Sequence, residues 1–80
     1  MSTVRKLNES ALRGIYDAYM HEAFPPAELK PLAVMLRLME RGRYLCYGYY
    51  RNGRLAAYAF FYRHDSRVLL LDYFAVTPEL

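Results

Sequence analysis

Few residues in this chain are of types that do chemistry unaided. Cys46, His21 and His64 are its only soft metal ligands, and Asp72 stands as a lone carboxylate in the apolar run Val68-Leu69-Leu70-Leu71-Asp72-Tyr73-Phe74-Ala75-Val76. A zinc site needs three or four ligands at short recurring spacings. Residues 21, 46 and 64 have no such spacing and fall in a helical stretch, a strand-like stretch and a turn, so no metal is expected. A Cys/His nucleophile is discounted as well, because Cys46 lies on a face of small residues, where a thiol packs without reacting. Arg51 with Arg54 and Arg63 with Arg67 lie near tyrosines, a combination that stacks single-stranded nucleic acid when it lines a groove. The two pairs bracket turns at opposite ends of a sheet, where charged hairpin ends discourage unwanted pairing, and no nucleic-acid partner is expected.

The elements that must position these residues follow from spacing. Thr3 to Leu7 reads as a short strand. Asn8 or Ser10 offers an N-cap, and Leu12, Ile15, Tyr16, Tyr19, Met20 and Ala23 recur at three- and four-residue steps, the stripe of an amphipathic helix over residues 11–24. Pro25-Pro26 ends it. Pro31 opens a second helix whose Leu32, Met35, Leu36 and Met39 form the buried face, and Gly42 caps its C-terminus. Beyond Gly42 helix formers give way to Tyr, Phe, Val and Leu, so a sheet is expected there.

Asn52-Gly53 between two aromatic runs predicts a two-residue turn with positive φ at both positions. The register that follows places Tyr49 opposite Ala56, Tyr47 opposite Tyr58 and Leu45 opposite Phe60. His64-Asp65-Ser66 makes a second, looser turn, and pairing Arg63 with Arg67 places Phe60 beside Leu70, Tyr58 beside Asp72 and Ala56 beside Phe74. One face of this three-stranded meander then carries Cys46, Gly48, Ala57, Ala59, Leu69 and Leu71 beneath the helices. The other carries Leu45, Tyr47, Tyr49, Tyr58, Phe60, Leu70, Asp72 and Phe74. Two helices cover one face of a sheet, so the second is expected to stand open unless a further segment or another copy of the chain covers it. The fold class is α+β: a short N-terminal strand, two helices, then the meander.

Composition sets the outer bounds. Eighty residues make one domain at most, and a domain of that size buries only roughly 60% of its unfolded surface, so its core is marginal. A content of 55% hydrophobic residues with nine Tyr excludes a disordered tail. The net charge of +3 is mildly basic and resides mostly in Arg. One cysteine permits no internal disulfide and favours a reducing, cytoplasmic compartment. No signal-like apolar stretch opens the chain and no window approaches a membrane span.

Leu71-Asp72-Tyr73-Phe74-Ala75-Val76-Thr77-Pro78-Glu79, together with the order strand, two helices, meander, resembles the N-terminal half of the GCN5-related N-acetyltransferases, and the likeness covers residues 1–80 as a single partial domain. In that family a similar fourth strand and an x-Pro-Glu turn lead into an Arg/Gly-rich loop that grips acetyl-CoA pyrophosphate; no such loop occurs in these 80 residues. The resemblance implies that the free backbone groups of Phe74, Ala75 and Val76 bond the pantetheine arm of acetyl-CoA. It places Phe24, Pro25, Pro26 and Leu29 on the wall of the acceptor-amine site, and it makes Asp72 the general base for a primary amine. A carboxylate on an aromatic sheet face is partly desolvated, and the hydroxyls of Tyr58 or Tyr47 stand within reach to hold it. Tyr58 thereby joins the acceptor site. An Asp bonded to tyrosines is also a common structural polar cluster.

The resemblance further implies a chain inactive alone that binds acetyl-CoA without high affinity, since the pyrophosphate cradle of backbone N–H groups and the general acid are both missing. The competing expectation is a non-enzymatic interaction module, in which the unpaired last strand and the Tyr-rich face make a homo-oligomer or receive a separate C-terminal half.

Overall fold

The structure, a computed structural model, describes residues 1–78. Glu79, the last residue of the x-Pro-Glu turn, and Leu80 therefore lie outside the described residues. Strand β1 (Ser2–Lys6) leads to α1 (Glu9–Ile15), which starts two residues before the expected helix because Asn8 is the cap: its side chain accepts a hydrogen bond from the Ala11 N–H at 2.9 Å. The same helical rod continues through a π-helical turn (Tyr16–Met20) into a final α turn, α2 (His21–Ala23). Phe24 is extended and Pro25 follows, so the rod stops where expected. The second helix, α3 (Leu32–Glu40), ends in a Schellman motif. Gly42 at φ +73° donates to the Met39 carbonyl, and Arg43 donates to that of Leu38.

Strands β2 (Tyr44–Arg51), β3 (Arg54–Arg63) and β4 (Leu69–Val76) form the meander, and β1 pairs antiparallel with β2, giving the order β1-β2-β3-β4. The α+β fold is as the sequence pattern reads. Asn52 (φ 52°) and Gly53 (φ 80°) make the expected turn, and Arg51 faces Arg54. One residue further along, the expected register fails. Tyr50 pairs with Leu55 but Tyr49 pairs with Ala57, so Ala56 is an extra, bulged residue. Its carbonyl turns toward the end of β4, where the Thr77 N–H donates to it at 2.8 Å. A bulge of one residue transfers every later side chain of the strand to the opposite face. Tyr58 and Phe60 therefore lie under the helices, and Ala57 and Ala59 lie on the open side, the reverse of expectation.

The second hairpin is longer than expected, since Arg63 pairs with Leu69 and not with Arg67. Asp65 explains the extra length: its side chain accepts from the N–H groups of both Arg67 and Val68, holding those residues in the turn. A second bulge follows. Phe61 pairs with Leu71 and Phe60 with Tyr73, which leaves Asp72 as the unpaired residue.

The core lies between the helices and the inner face of the sheet. Leu12, Ile15, Tyr16 and Met20 of the rod and Met35 of α3 pack on Tyr44, Cys46, Tyr58, Phe60 and Tyr73, with Leu7 closing one end. Gly48 belongs to this face, because a Cβ there would meet the side chains of Tyr50, Leu55 and Leu7 at about 3 Å. The opposite face is open as expected, though with other residues than the pattern gave. Val4, Leu71, Phe74 and Val76 are more than half exposed, and Gly48, Ala57 and Ala59 floor a shallow apolar trough between Tyr47, Tyr49 and Phe74.

Candidate active site

Asp72 owes its position to the β4 bulge. A bulged residue breaks the alternation of the strand and re-aims its side chain, and here the carboxylate turns in toward the helix side. The Tyr44 hydroxyl donates to Oδ2, and Lys30 Nζ approaches the same oxygen at 3.4 Å. Oδ1 accepts no hydrogen bond from the described residues. The carboxylate is thus held by one oxygen and leaves the other available to take a proton. Its holder is Tyr44, and neither of the tyrosines expected from the pattern serves. Tyr47 lies on the open face, and the Tyr58 hydroxyl, shut into the core by the Ala56 bulge, has no hydrogen-bond partner among the described residues.

Two further groups register the carboxylate electrostatically. Burial first, and then the hydrogen bond and charge of Asp72, raise the Tyr44 phenol far above its ordinary range, so it remains a donor at any physiological pH. Burial pushes the Cys46 thiol up to about 12, with Asp72 adding to the shift. Cys46 is 1% exposed and packs as an inert core residue.

The wall facing Asp72 is the irregular segment between the helices. Tyr73, next to Asp72 but paired into the strand, reaches across with its hydroxyl, donating to the Glu28 carbonyl and accepting from the Lys30 N–H, both at 2.7 Å. Tyr16, on the π-helical turn, donates to the Lys30 carbonyl at 3.0 Å. The Phe24 ring meets the Tyr73 ring edge-on at 4.9 Å. Lys30 therefore has both of its backbone polar groups fixed by tyrosines from other elements, which sets where its ammonium can reach.

The residues expected on the acceptor wall thus fall in three situations. Phe24 packs against Tyr73, the residue next to Asp72. Leu29 is half-buried against the core, and Pro25 is exposed on the same segment. Tyr58 stays apart from Asp72 and lines a cavity of about 220 Å³ with Tyr19, Glu22, Ala23, Val76, Thr77 and Pro78. Phe74, Ala75 and Val76 pair with Ala59, Tyr58 and Ala57 on one side, and no strand among the described residues pairs with the other edge of β4. Lys30, Tyr44, Tyr73 and Tyr16 were missed by sequence reasoning. For Tyr44 and Tyr73 the one visible signal was the excess of tyrosine among the strands; Lys30 had none.

Among the described residues no cluster of His, Cys, Asp and Glu could hold a metal ion, and no helix is long and apolar enough to cross a membrane. No protein-family model, curated protein or solved structure matches the chain.

Proposed function

We propose that this chain provides the acceptor side of an acetyl-CoA-dependent N-acetyltransferase of the GCN5-related kind, acting on a primary amine. The observation that carries the reading is Asp72: a carboxylate extruded by a bulge, tethered through one oxygen, and lying beside a strand edge with unpaired backbone groups. A general base must present a free lone pair within hydrogen-bond reach of the proton it removes, and Oδ1, bonded by none of the described residues, supplies the lone pair.

Acetyl-CoA supplies the acyl thioester. The residues of this chain handle the arm and the incoming amine. The free edge of β4 at Phe74, Ala75 and Val76 bonds an extended amide-bearing arm as an added strand would. Phe24, Pro25 and Leu29 exclude water on the acceptor side. Asp72 accepts the proton of the incoming ammonium at Oδ1 while Tyr44 and Lys30 fix its Oδ2. A strand edge fits the arm, and backbone pairing alone is expected to give binding in the millimolar range.

NMR titration with acetyl-CoA, on protein kept monomeric, tests the reading. Amide shifts concentrated at Phe74–Val76, with smaller ones around Asp72, are the expected result. No perturbation of β4 at millimolar ligand, or perturbation only at β1 on the opposite edge of the sheet, overturns it.

A further inference from the structure

We propose that the free edge of β4 pairs with β4 of a second copy of this chain, antiparallel across a two-fold axis, and that this pairing and thioester binding exclude each other. Only the exclusion rests on the function proposed above; the pairing stands on the strand itself.

The two edges of the sheet are built differently. Edge strands of soluble proteins are guarded by charge, and above all by basic residues. β1 carries Arg5 and Lys6. β4 carries no basic residue at all, although the chain has eleven Lys and Arg, and its only charge is Asp72. Leu69, Leu70, Leu71, Phe74 and Val76 are between 47% and 59% exposed. Two copies, each with net charge +3, therefore meet along the one long strand free of cations.

The bulge makes the pairing self-complementary. An isologous contact sets the first half of a strand against the second half of its mate, and residues opposite one another must share a face. Leu69 and Leu71 precede the bulge, Phe74 and Val76 follow it, and the extra residue puts all four on the open face. Centring the two-fold on the bulge brings Leu71 opposite Phe74 of the second copy and Leu69 opposite Val76. Without the bulge, residues 71 and 74 would lie on opposite faces, and this centring would set leucines on one face against phenylalanines on the other. The paired edge is the one that Phe74, Ala75 and Val76 would offer to the pantetheine arm, so one edge cannot serve both.

Sedimentation equilibrium over roughly 1–500 μM, the range in which weak edge pairing titrates, tests the pairing on the full chain. The wild-type protein is expected to dimerise. Leu71→Lys, exposed in the monomer and so compatible with folding, should raise the dissociation constant about tenfold or more, while Val4→Lys on the other edge should leave it within about twofold. Circular dichroism confirms that both variants are folded. A wild-type monomer throughout, or equal weakening by Val4→Lys, overturns the pairing. Acetyl-CoA added at millimolar concentration should shift the wild type toward monomer. If acetyl-CoA perturbs the Phe74–Val76 amides of Leu71→Lys yet leaves the wild-type dimer intact, the exclusion is wrong. If it does not bind Leu71→Lys at all, the function reading and the exclusion fail together, and the pairing is judged on the two variants alone.

Discussion

Asp72 is legible in the sequence as the one carboxylate of an apolar strand, but the company it keeps is not. Tyr44 lies 28 positions away and Lys30 lies in a segment without periodicity, and both reach it only because a bulge turns the carboxylate inward. Replacing Tyr44 by Phe removes the hydroxyl and almost no volume. Hydrogen bonds to charged groups contribute about 1.5–3 kcal/mol, so the denaturant midpoint should fall accordingly, and an unchanged midpoint would mean that the bond is not made in solution. Tyr73→Phe is the sharper test. It orphans the Lys30 N–H and the Glu28 carbonyl together, and hydrogen exchange at the Lys30 amide should accelerate at least about tenfold, while amides in the centre of β3 keep their protection. If Lys30 exchanges at the wild-type rate, the segment is held by something other than this hydroxyl.

The elements themselves follow from the pattern with little loss. The Asn52-Gly53 turn, the proline stop, the glycine cap and the amphipathic stripe each have a local physical cause, and each stands where that cause puts it. What eluded the pattern were the longer second turn and two single-residue insertions, at Ala56 and Asp72, because a bulge is fixed by partners distant in sequence: Thr77 for the first, Tyr44 and Lys30 for the second. The first insertion reversed the faces of most of β3. Thr77 is the residue to remove. Its hydroxyl donates to the Leu55 carbonyl at 2.8 Å, and its N–H to that of Ala56. Thr77→Val should lower stability by about 1–2 kcal/mol through the lost side-chain bond to a buried carbonyl, read as a shift in urea midpoint. At the turn, Asn52→Ala should cost about 1 kcal/mol, since Asn52 holds φ 52° and Ala tolerates the left-handed region poorly, whereas Asn52→Gly should be close to neutral. Equal effects of the two changes would show that contacts of the side chain, and not its backbone angle, matter there.

For the whole molecule, the buried tyrosines and the thiol make stability depend on alkaline pH. Cys46 and Tyr44 are neutral when protonated, and folding raises both, the thiol from 9.0 to about 12. The folded state therefore binds their protons more tightly, so their contribution is complete below the unfolded value and is lost as pH climbs from about 9 toward 12. Urea midpoints measured at about pH 7.5 and about pH 10.5 should differ, with the loss reduced in Cys46→Ala; an identical loss in that variant would remove the thiol from the account. Neither the open sheet face nor β4 is covered by the core, because the eleven buried residues of the described cluster lie between the helices and the inner face of the sheet. The three hydroxyl bonds that fasten Glu28 and Lys30 have a different kind of consequence. A segment already immobilised in the free protein loses no further entropy when a ligand arrives, so discrimination among ligands at this wall would rest on fixed shape, and altering it would require new residues at positions 16 and 73 sooner than in the segment itself.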